Sequence, residues 1–256
     1  MKKIIMFLVA LAAFSFSPVF AYENTIDFGF RVPTAKTEFD FQAKVDADGN
    51  KFYDGKPSMF QTGVSGSYMG RFDCGFSLMG QFEIGGASLS KNYLSPALKK
   101  FLDKPYGVYI TERLGVGYVF EPVKSIAIGI YGTAGVNLGF FGQMSNKTDI
   151  NSLDSDCNGY NELSWIATDS VVTHAIITGE FTLGLYPVVN FRLGRVFGLF
   201  AGCNIDFSVY NRMMLVTNSK VTYADGKTSE YNHEAVYCGF SVPITVAPQL
   251  GISWRW

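Results

Sequence analysis

Residues 236–256 read VYCGFSVPITVAPQLGISWRW, and every even-numbered residue of this stretch is apolar. The residues between them are mostly small or polar, among them Gly239, Ser241 and Gln249. Successive side chains of a β-strand point to opposite faces, so this alternation predicts a strand with one apolar and one polar face. The apolar face includes Trp254 and ends on Trp256. Because a soluble protein seldom exposes two tryptophans on one strand face, the stretch favours a strand in contact with lipid.

The beginning of the chain has the layout of a secretory signal peptide. Lys2 and Lys3 provide the charged start, residues 4–16 form an apolar segment, and small or tolerated residues precede a cleavage position after Ala21. The sequence therefore predicts a signal peptide at residues 1–21 and one β-barrel domain at residues 22–256.

Composition narrows the class of protein. The chain has 21 basic and 22 acidic residues, and removing Lys2 and Lys3 leaves 19 basic residues and a net charge of −3. This balance does not suggest a nucleic-acid partner. Mean hydropathy is slightly positive, at +0.14, yet residues 22–256 contain no apolar run of the roughly 18 residues that a membrane helix needs. Hydrophobicity distributed by alternation is typical of membrane β-strands.

Alternating segments are separated by intervals that are in turn long and short. The long polar intervals are residues 46–57, 87–105, 142–173 and 211–232, and the short turns lie near residues 70–73, 121–124 and 187–190. Long external loops and short periplasmic turns are typical of an outer-membrane barrel. The pattern predicts an all-β, eight-stranded, antiparallel up-and-down transmembrane barrel, with an irregularity at residues 33–35. A ten-strand alternative splits the chain at Pro33 and at residues 243–248, and it places both termini outside.

The end of the chain resembles the C-terminal signature of bacterial outer-membrane barrels, which the insertion machinery reads. The resemblance rests on Leu250, Ile252, Trp254 and Trp256, and the architecture resembles the small barrels of the OmpA transmembrane-domain, OmpX and OmpW type. It implies location in the bacterial outer membrane, contact with lipid and a lipopolysaccharide-type surface, and a host or matrix ligand bound by the external loops, where Trp165 is the exposed tryptophan. The alternative is the last strand of a soluble secreted sandwich.

The predicted inward faces carry charges of both signs. An eight-stranded barrel is just wide enough to be filled by side chains, and buried charges are costly unless they are paired. We therefore expect interior ion pairs, with Tyr131, Tyr186 and Asp206 also facing inward. This predicts a structural, adhesin-like surface protein with a filled interior; inward glycines leave a narrow channel for small or hydrophobic solutes as the alternative. The interior ion-pair candidates are Asp27, Arg31, Glu83, Arg113, Glu180, Arg192 and Arg255.

One carboxylate falls on an apolar face. Glu112 falls on the same face of its predicted strand as Val108, Ile110 and Leu114. A lipid-facing charge in mid-membrane is unfavourable, so we expect Glu112 to lie above the lipid.

The longest predicted loop contains a weak calcium-binding pattern. The spacing D-x-D-x-N-G brings several oxygen ligands to one side of a tight turn, and it resembles the first half of a calcium-binding loop. It departs from the EF-hand pattern because Trp165 occupies the position of the last glutamate; a solvated loop is the alternative, and no other cofactor is expected. The candidate ligands are Asp154, Asp156, Asn158, Tyr160 and Glu162.

Cysteines and histidines leave two further possibilities open. Cys74, Cys203 and Cys238 fall on apolar strand faces, where cysteine behaves as a small hydrophobe. Cys203 and Cys238 lie on neighbouring predicted strands and could pair, whereas Cys157 has no evident partner.

An enzyme at the outer rim of the barrel is the least favoured function, because no motif links the polar residues of the rim into a catalytic pair. The rim candidates are His174 and His233, with Asp169, Ser170 and Glu234 near them.

Overall fold

The computed structural model describes residues 23–32, 37–38, 58–90, 105–147, 167–223, 228–239 and 244–256. These residues form ten strand segments: β1 (Glu23–Arg31), β2 (Thr37–Glu38), β3 (Ser58–Arg71), β4 (Phe76–Leu89), β5 (Tyr106–Val123), β6 (Ile126–Lys147), β7 (Ala167–Arg192), β8 (Phe197–Tyr223), β9 (Thr228–Gly239) and β10 (Ile244–Arg255). None of the described residues belongs to a helix long and apolar enough to cross a membrane.

The segments close into a ring of eight antiparallel strands. From β3 to β8 each strand pairs with the next along the chain; β10 then pairs with both β8 and β1, and β1 pairs with β3. β2 follows β1 along β3, and β9 precedes β10 along β8, so each of these segments shares a ring position with its neighbour. The predicted eight-stranded up-and-down barrel is confirmed.

The ten-strand alternative is wrong. It required chain reversals near Pro33 and near residues 243–248, but β9 and β10 run in the same direction along β8. The predicted irregularity at residues 33–35 lies outside the described residues. On either side of it, the pairing with β3 passes from Arg31↔Gly63 to Thr37↔Met59, six residues along one strand and four along the other.

Short connections join the strands at the barrel end that carries Glu23 and Trp256, which we call the turn end. They lie at residues 72–75, 124–125 and 193–196. In the first, Gly75 has a φ of +85°, and a Cβ there would lie 2.6 Å from the Tyr118 ring, so the turn requires glycine. The turn predicted at residues 187–190 is misplaced, because β7 continues through Pro187 to Arg192.

The two faces of the barrel wall differ as the alternation predicts. On β10, Leu250, Ile252 and Trp254 point outward with 56%, 46% and 54% of their surface exposed, whereas Gln249 and Ser253 point inward with 1% and 5% exposed. Apolar side chains thus cover the outside and polar side chains fill the inside.

Four strands extend well past the others at the opposite end, which we call the loop end. β8 has 27 residues; at about 3.3 Å per residue and a tilt near 40°, it spans on the order of 70 Å along the barrel axis, against roughly 30 Å of hydrocarbon. Residues 143–147, 167–174, 217–223 and 228–233 form a continuous sheet there, the loop-end sheet. The loops predicted at residues 142–173 and 211–232 are therefore shorter than expected, because polar residues continue the strand pairing.

Candidate functional site

A buried charge network fills the middle of the barrel. Glu83 accepts a hydrogen bond from Arg31 at 2.8 Å, from Arg113 at 3.3 Å and from Tyr109 at 2.5 Å. The same Arg113 guanidinium donates to Asp206 at 2.7 Å. All of these side chains are at most 5% exposed, so the two carboxylates and the two guanidinium groups neutralise one another inside the barrel, as buried charges require.

Amide side chains extend this central network. Gln81 Oε1 accepts hydrogen bonds from Arg113 at 3.1 Å and from Asn204 at 2.9 Å. Gln249 donates to Glu83 at 3.2 Å and accepts from Gln81 at 3.1 Å. The bonds join strands on opposite sides of the ring and therefore cross the lumen.

The structure brings together only part of the predicted set of interior ion pairs. Arg31, Glu83 and Arg113 meet, and Asp206 joins them. Asp27 and Glu180 are buried, at 0% and 5% exposure, but neither pairs with a basic side chain of the described residues. Four further members of the network are not among the predicted ion-pair candidates, although each occupies an inward position in the alternation of its strand. They are Gln81, Tyr109, Asn204 and Gln249.

Arg192 and Arg255 lie at the turn-end rim instead of in the interior. Arg192 contacts Glu23 at 2.8 Å and Glu121 at 2.5 Å, and Arg255 approaches Glu23 at 3.8 Å. Arg71 also pairs with Glu121. These five side chains come from β1, β3, β5, β7 and β10 and form a rim cluster across the mouth of the barrel.

The rim cluster changes the acidity of one of its carboxyls. A hydrogen bond from Arg192 and the charges of Arg192 and Arg71 lower the pKa of Glu121, although partial desolvation opposes them. The Glu121 carboxyl therefore stays ionised to lower pH than an isolated glutamic acid does.

An apolar layer lies just inside the rim cluster. Tyr131 and Tyr186 are completely buried, with ring centroids 6.4 Å apart. A cavity of about 30 Å³ separates this layer from the rim, lined by Glu23, Met69, Arg71, Tyr131 and Arg192 among others. Such a volume holds one or two water molecules. The layer itself consists of Met69, Met79, Tyr131, Tyr186, Val188 and Phe200.

Glu112 lies in the apolar surface, not above it. It occupies the centre of the outward row of β5, which runs from Tyr106 to Tyr118, and it is paired with Phe82 and Val136. The expectation that it lies above the lipid is therefore wrong, because the outward apolar row continues on both sides of it.

Register separates the two cysteines for which the sequence leaves a disulfide open. Cys203 is opposite Pro248, whereas Cys238 is opposite Arg212, nine residues further along β8. That offset is on the order of 30 Å, far beyond the reach of a disulfide. Cys74 and Cys203 are free thiols, and Cys157 lies outside the described residues.

The two histidines occupy one cross-strand row of the loop-end sheet. His174 is opposite Thr217, which is opposite His233 on its other side. Asp169 and Ser170 lie at least four residues, or about 13 Å, further along β7, so the backbone does not place them beside the histidines.

The calcium candidates lie outside the described residues, and calcium binding there stays a prediction. The same holds for Trp165. Within the described ranges, no group of three or more His, Cys, Asp or Glu side chains is placed to hold a metal ion.

Solved structures similar to this chain are bacterial outer-membrane proteins. A major outer membrane protein from Thermus thermophilus aligns with 91% of this chain and 99% of its own, with a TM-score of 0.51 and 12% identity. The fold is that of a bacterial outer-membrane β-barrel. OprG from Pseudomonas aeruginosa (92% and 96% covered, TM-score 0.47, 13% identity) and Ail from Yersinia pestis (93% and 100%, 0.37, 13%) are also similar. No protein-family model and no curated protein sequence matches the chain significantly.

The outer surface of this outer-membrane barrel agrees with that location. Exposed apolar side chains surround the ring, and aromatic residues such as Phe197 and Trp254, in edge-to-face contact at 6.4 Å, lie near the turn end. The protein is located in the bacterial outer membrane, where short turns face the periplasm and long connections face outward. The rim cluster is then periplasmic, and the loop-end sheet is extracellular.

Proposed function

We propose that this outer-membrane barrel is a non-enzymatic, adhesin-like surface protein, whose filled lumen anchors the loop-end sheet outside the cell. The observation that carries the proposal is the occupation of the lumen at successive levels. The rim cluster, the apolar layer and the central network each cross the ring with buried or hydrogen-bonded side chains. A lumen filled in this way supports a rigid wall and leaves little room for solute.

The loop-end sheet is the part of the protein available to an external partner. It projects past the apolar surface, and its exposed side chains include Lys220 and Glu230, which approach each other at 3.6 Å. Within the described part of the chain, β6 has no neighbour on its β5 side beyond Gly142, and β9 pairs with β8 alone. A strand of a partner could extend this polar sheet at one of these two edges.

Contacts with lipid and with the insertion machinery belong to the same proposal. Leu250, Ile252, Trp254 and Trp256 form one outward row, each about half exposed. This row suits both hydrocarbon contact and recognition of an unfolded C-terminal strand before insertion.

Removal of the outer half of the β8–β9 hairpin tests the adhesive role. Val216 is opposite Glu234, so residues 217–233 can be replaced by an Asn-Gly turn without changing the remaining register. We expect the shortened chain still to fold, as judged by the change in gel mobility on heating that a folded barrel shows. Cells that display the shortened chain should no longer adhere to surfaces coated with laminin, fibronectin or collagen. The Glu112→Gln variant, altered only in the membrane, should adhere normally. Equal adhesion of the shortened chain, or no adhesion by the full chain, would contradict the proposal.

A narrow channel is the second candidate, favoured by the small water-sized cavity behind the periplasmic rim. Planar-bilayer recording of the refolded mature chain separates the two. A folded barrel without conductance supports the filled lumen, whereas discrete and reproducible openings would replace it with narrow-pore transport.

A further inference from the structure

The buried charges of the lumen do not balance. With all four carboxyls ionised, four negative charges face two guanidinium groups, which leaves a surplus of two negative charges among the described residues. The central network neutralises two of the carboxylates, and the surplus belongs to Asp27 and Glu180, which form no ion pair with a basic side chain in the described part of the chain. An ionised carboxylate in such a place needs a counter-charge. The buried ionisable side chains are Asp27, Arg31, Glu83, Arg113, Glu180 and Asp206.

Several buried oxygen atoms on β7 and β8, one of them from Glu180, have no hydrogen-bond partner among the described residues. All of them belong to inward side chains of β7 and β8 that are at most 5% exposed. The carboxylate and amide oxygens among them can only accept hydrogen bonds, so their missing partner is a donor or a cation. The atoms are Thr178 Oγ1, Glu180 Oε1, Thr182 Oγ1, Asn204 Oδ1 and Asp206 Oδ1.

In each of the two carboxylates, Glu180 and Asp206, one oxygen accepts a hydrogen bond and the other has no partner among the described residues. Glu180 Oε2 accepts a hydrogen bond from Asn137 at 3.1 Å, and Asp206 Oδ2 accepts from Arg113 at 2.7 Å. The carboxylates are therefore oriented by neighbouring side chains, and Glu180 Oε1 and Asp206 Oδ1 remain for another ligand.

Two glycines allow these oxygens to lie close to the barrel wall. Gly184 is opposite Asp206, and the position of a Cβ there is 2.7 Å from Asp206 Oδ1. Gly135 is opposite Thr182, and a Cβ built on Gly135 would lie 3.2 Å from Thr182 Oγ1. Asp206 is diagonal to Thr182 across the β7–β8 pair, a relation that sets residues about 7–8 Å apart. Glu180 points inward from the same face of β7, two residues from Thr182, so the three side chains flank one space inside the wall.

We propose that the lumen binds a sodium-type alkali cation among Glu180, Thr182 and Asp206. The ligands are all oxygen, which suits a hard cation. Because Arg113 already neutralises part of the Asp206 charge, the site offers little more than one negative charge, and this favours a monovalent ion. The cation supplies the counter-charge that Glu180 lacks and joins β7 to β8 inside the membrane. This role is independent of the adhesive function.

Thermal unfolding of the refolded mature chain in detergent tests the site. Wild-type protein is compared in sodium chloride and in choline chloride of equal ionic strength. A ligand that binds only the folded state raises the melting temperature, so we expect the midpoint to be a few degrees higher in sodium. Glu180→Gln removes the surplus charge and should abolish this difference. Thr182→Val, which deletes one ligand, should reduce it and serves if Glu180→Gln does not fold.

The matched control is Glu230→Gln, which changes an exposed carboxylate and should keep the full sodium effect. Equal wild-type midpoints in sodium and choline would overturn the proposal. A sodium effect of unchanged size in both Glu180→Gln and Thr182→Val would also overturn it. If wild-type stability in choline falls as pH rises and sodium does not restore it, a proton occupies the Glu180 carboxyl and the cation site is refuted.

Discussion

Arg113 holds together two carboxylates that are far apart in sequence. Its guanidinium donates to Glu83 and to Asp206 from a completely enclosed position. Replacing Arg113 with methionine leaves both carboxylates with fewer counter-charges, and loss of one partner of a buried pair costs about 3–5 kcal/mol. We expect a decrease of that size in the free energy of unfolding, measured by urea titration in lipid vesicles. Arg212→Met, at an exposed position, should leave it nearly unchanged; a similar loss in both variants would contradict this account.

At the residue scale, sequence parity identified the interior charges but not their partners. Arg31, Glu83 and Arg113 are predicted to face inward because polar residues alternate with apolar ones along each strand. Their pairing depends on the register around the closed ring, which brings together side chains as distant in sequence as Arg113 and Asp206. The alternation shows only that a side chain faces inward and not its height along the barrel. It therefore does not distinguish Arg192, at the rim, from Glu180, in the lumen.

At the scale of elements, β5 carries a charge within its lipid-facing row. Glu112 lies between Ile110 and Leu114, and its neighbours across the sheet are apolar. A carboxylate on the lipid face is unfavourable by about 1–2 kcal/mol, less than a basic residue at the same depth. Glu112→Leu is therefore expected to increase the free energy of unfolding by that amount in vesicles. Glu230→Leu, outside the membrane, serves as control; destabilisation by Glu112→Leu would show that the carboxylate has a stabilising partner.

Strand existence was easier to predict from the sequence than strand length. Within the membrane, lipid selects apolar residues at alternate positions, and those segments were recognised. Beyond the membrane that selection ends, so β8 and β9 continue through polar residues such as Asn218 and Asn232, which resemble a loop in sequence. The hydrogen bonding of these strands comes from their neighbours, which no local pattern reveals.

For the whole molecule, the rim cluster predicts a dependence of stability on pH. The pKa of Glu121 is lower in the folded protein than in the unfolded chain, so its contribution is present at neutral pH and is lost as pH falls through the folded value. Glu121→Gln should be less stable than wild type at neutral pH; the difference should begin to shrink below the ordinary glutamate pKa of about 4.3 and should disappear once the pH is below the folded pKa. Urea unfolding at both pH values measures it, with Glu230→Gln as control; a difference that persists in acid would contradict the ionic explanation.

Ring closure has a consequence for the kinetics of assembly. The last pairing joins Asn24 to Trp256, with reciprocal backbone hydrogen bonds of 3.0 Å between residues near the two ends of the chain. Contacts of such high order form slowly, since the loop entropy is lost before the bonds are gained. Until β1 meets β10, each presents an unpaired edge that can capture other chains. The nascent barrel therefore has a period of vulnerability that ends only when its final strand arrives, and a chaperone that shields these two edges would act at the slowest step.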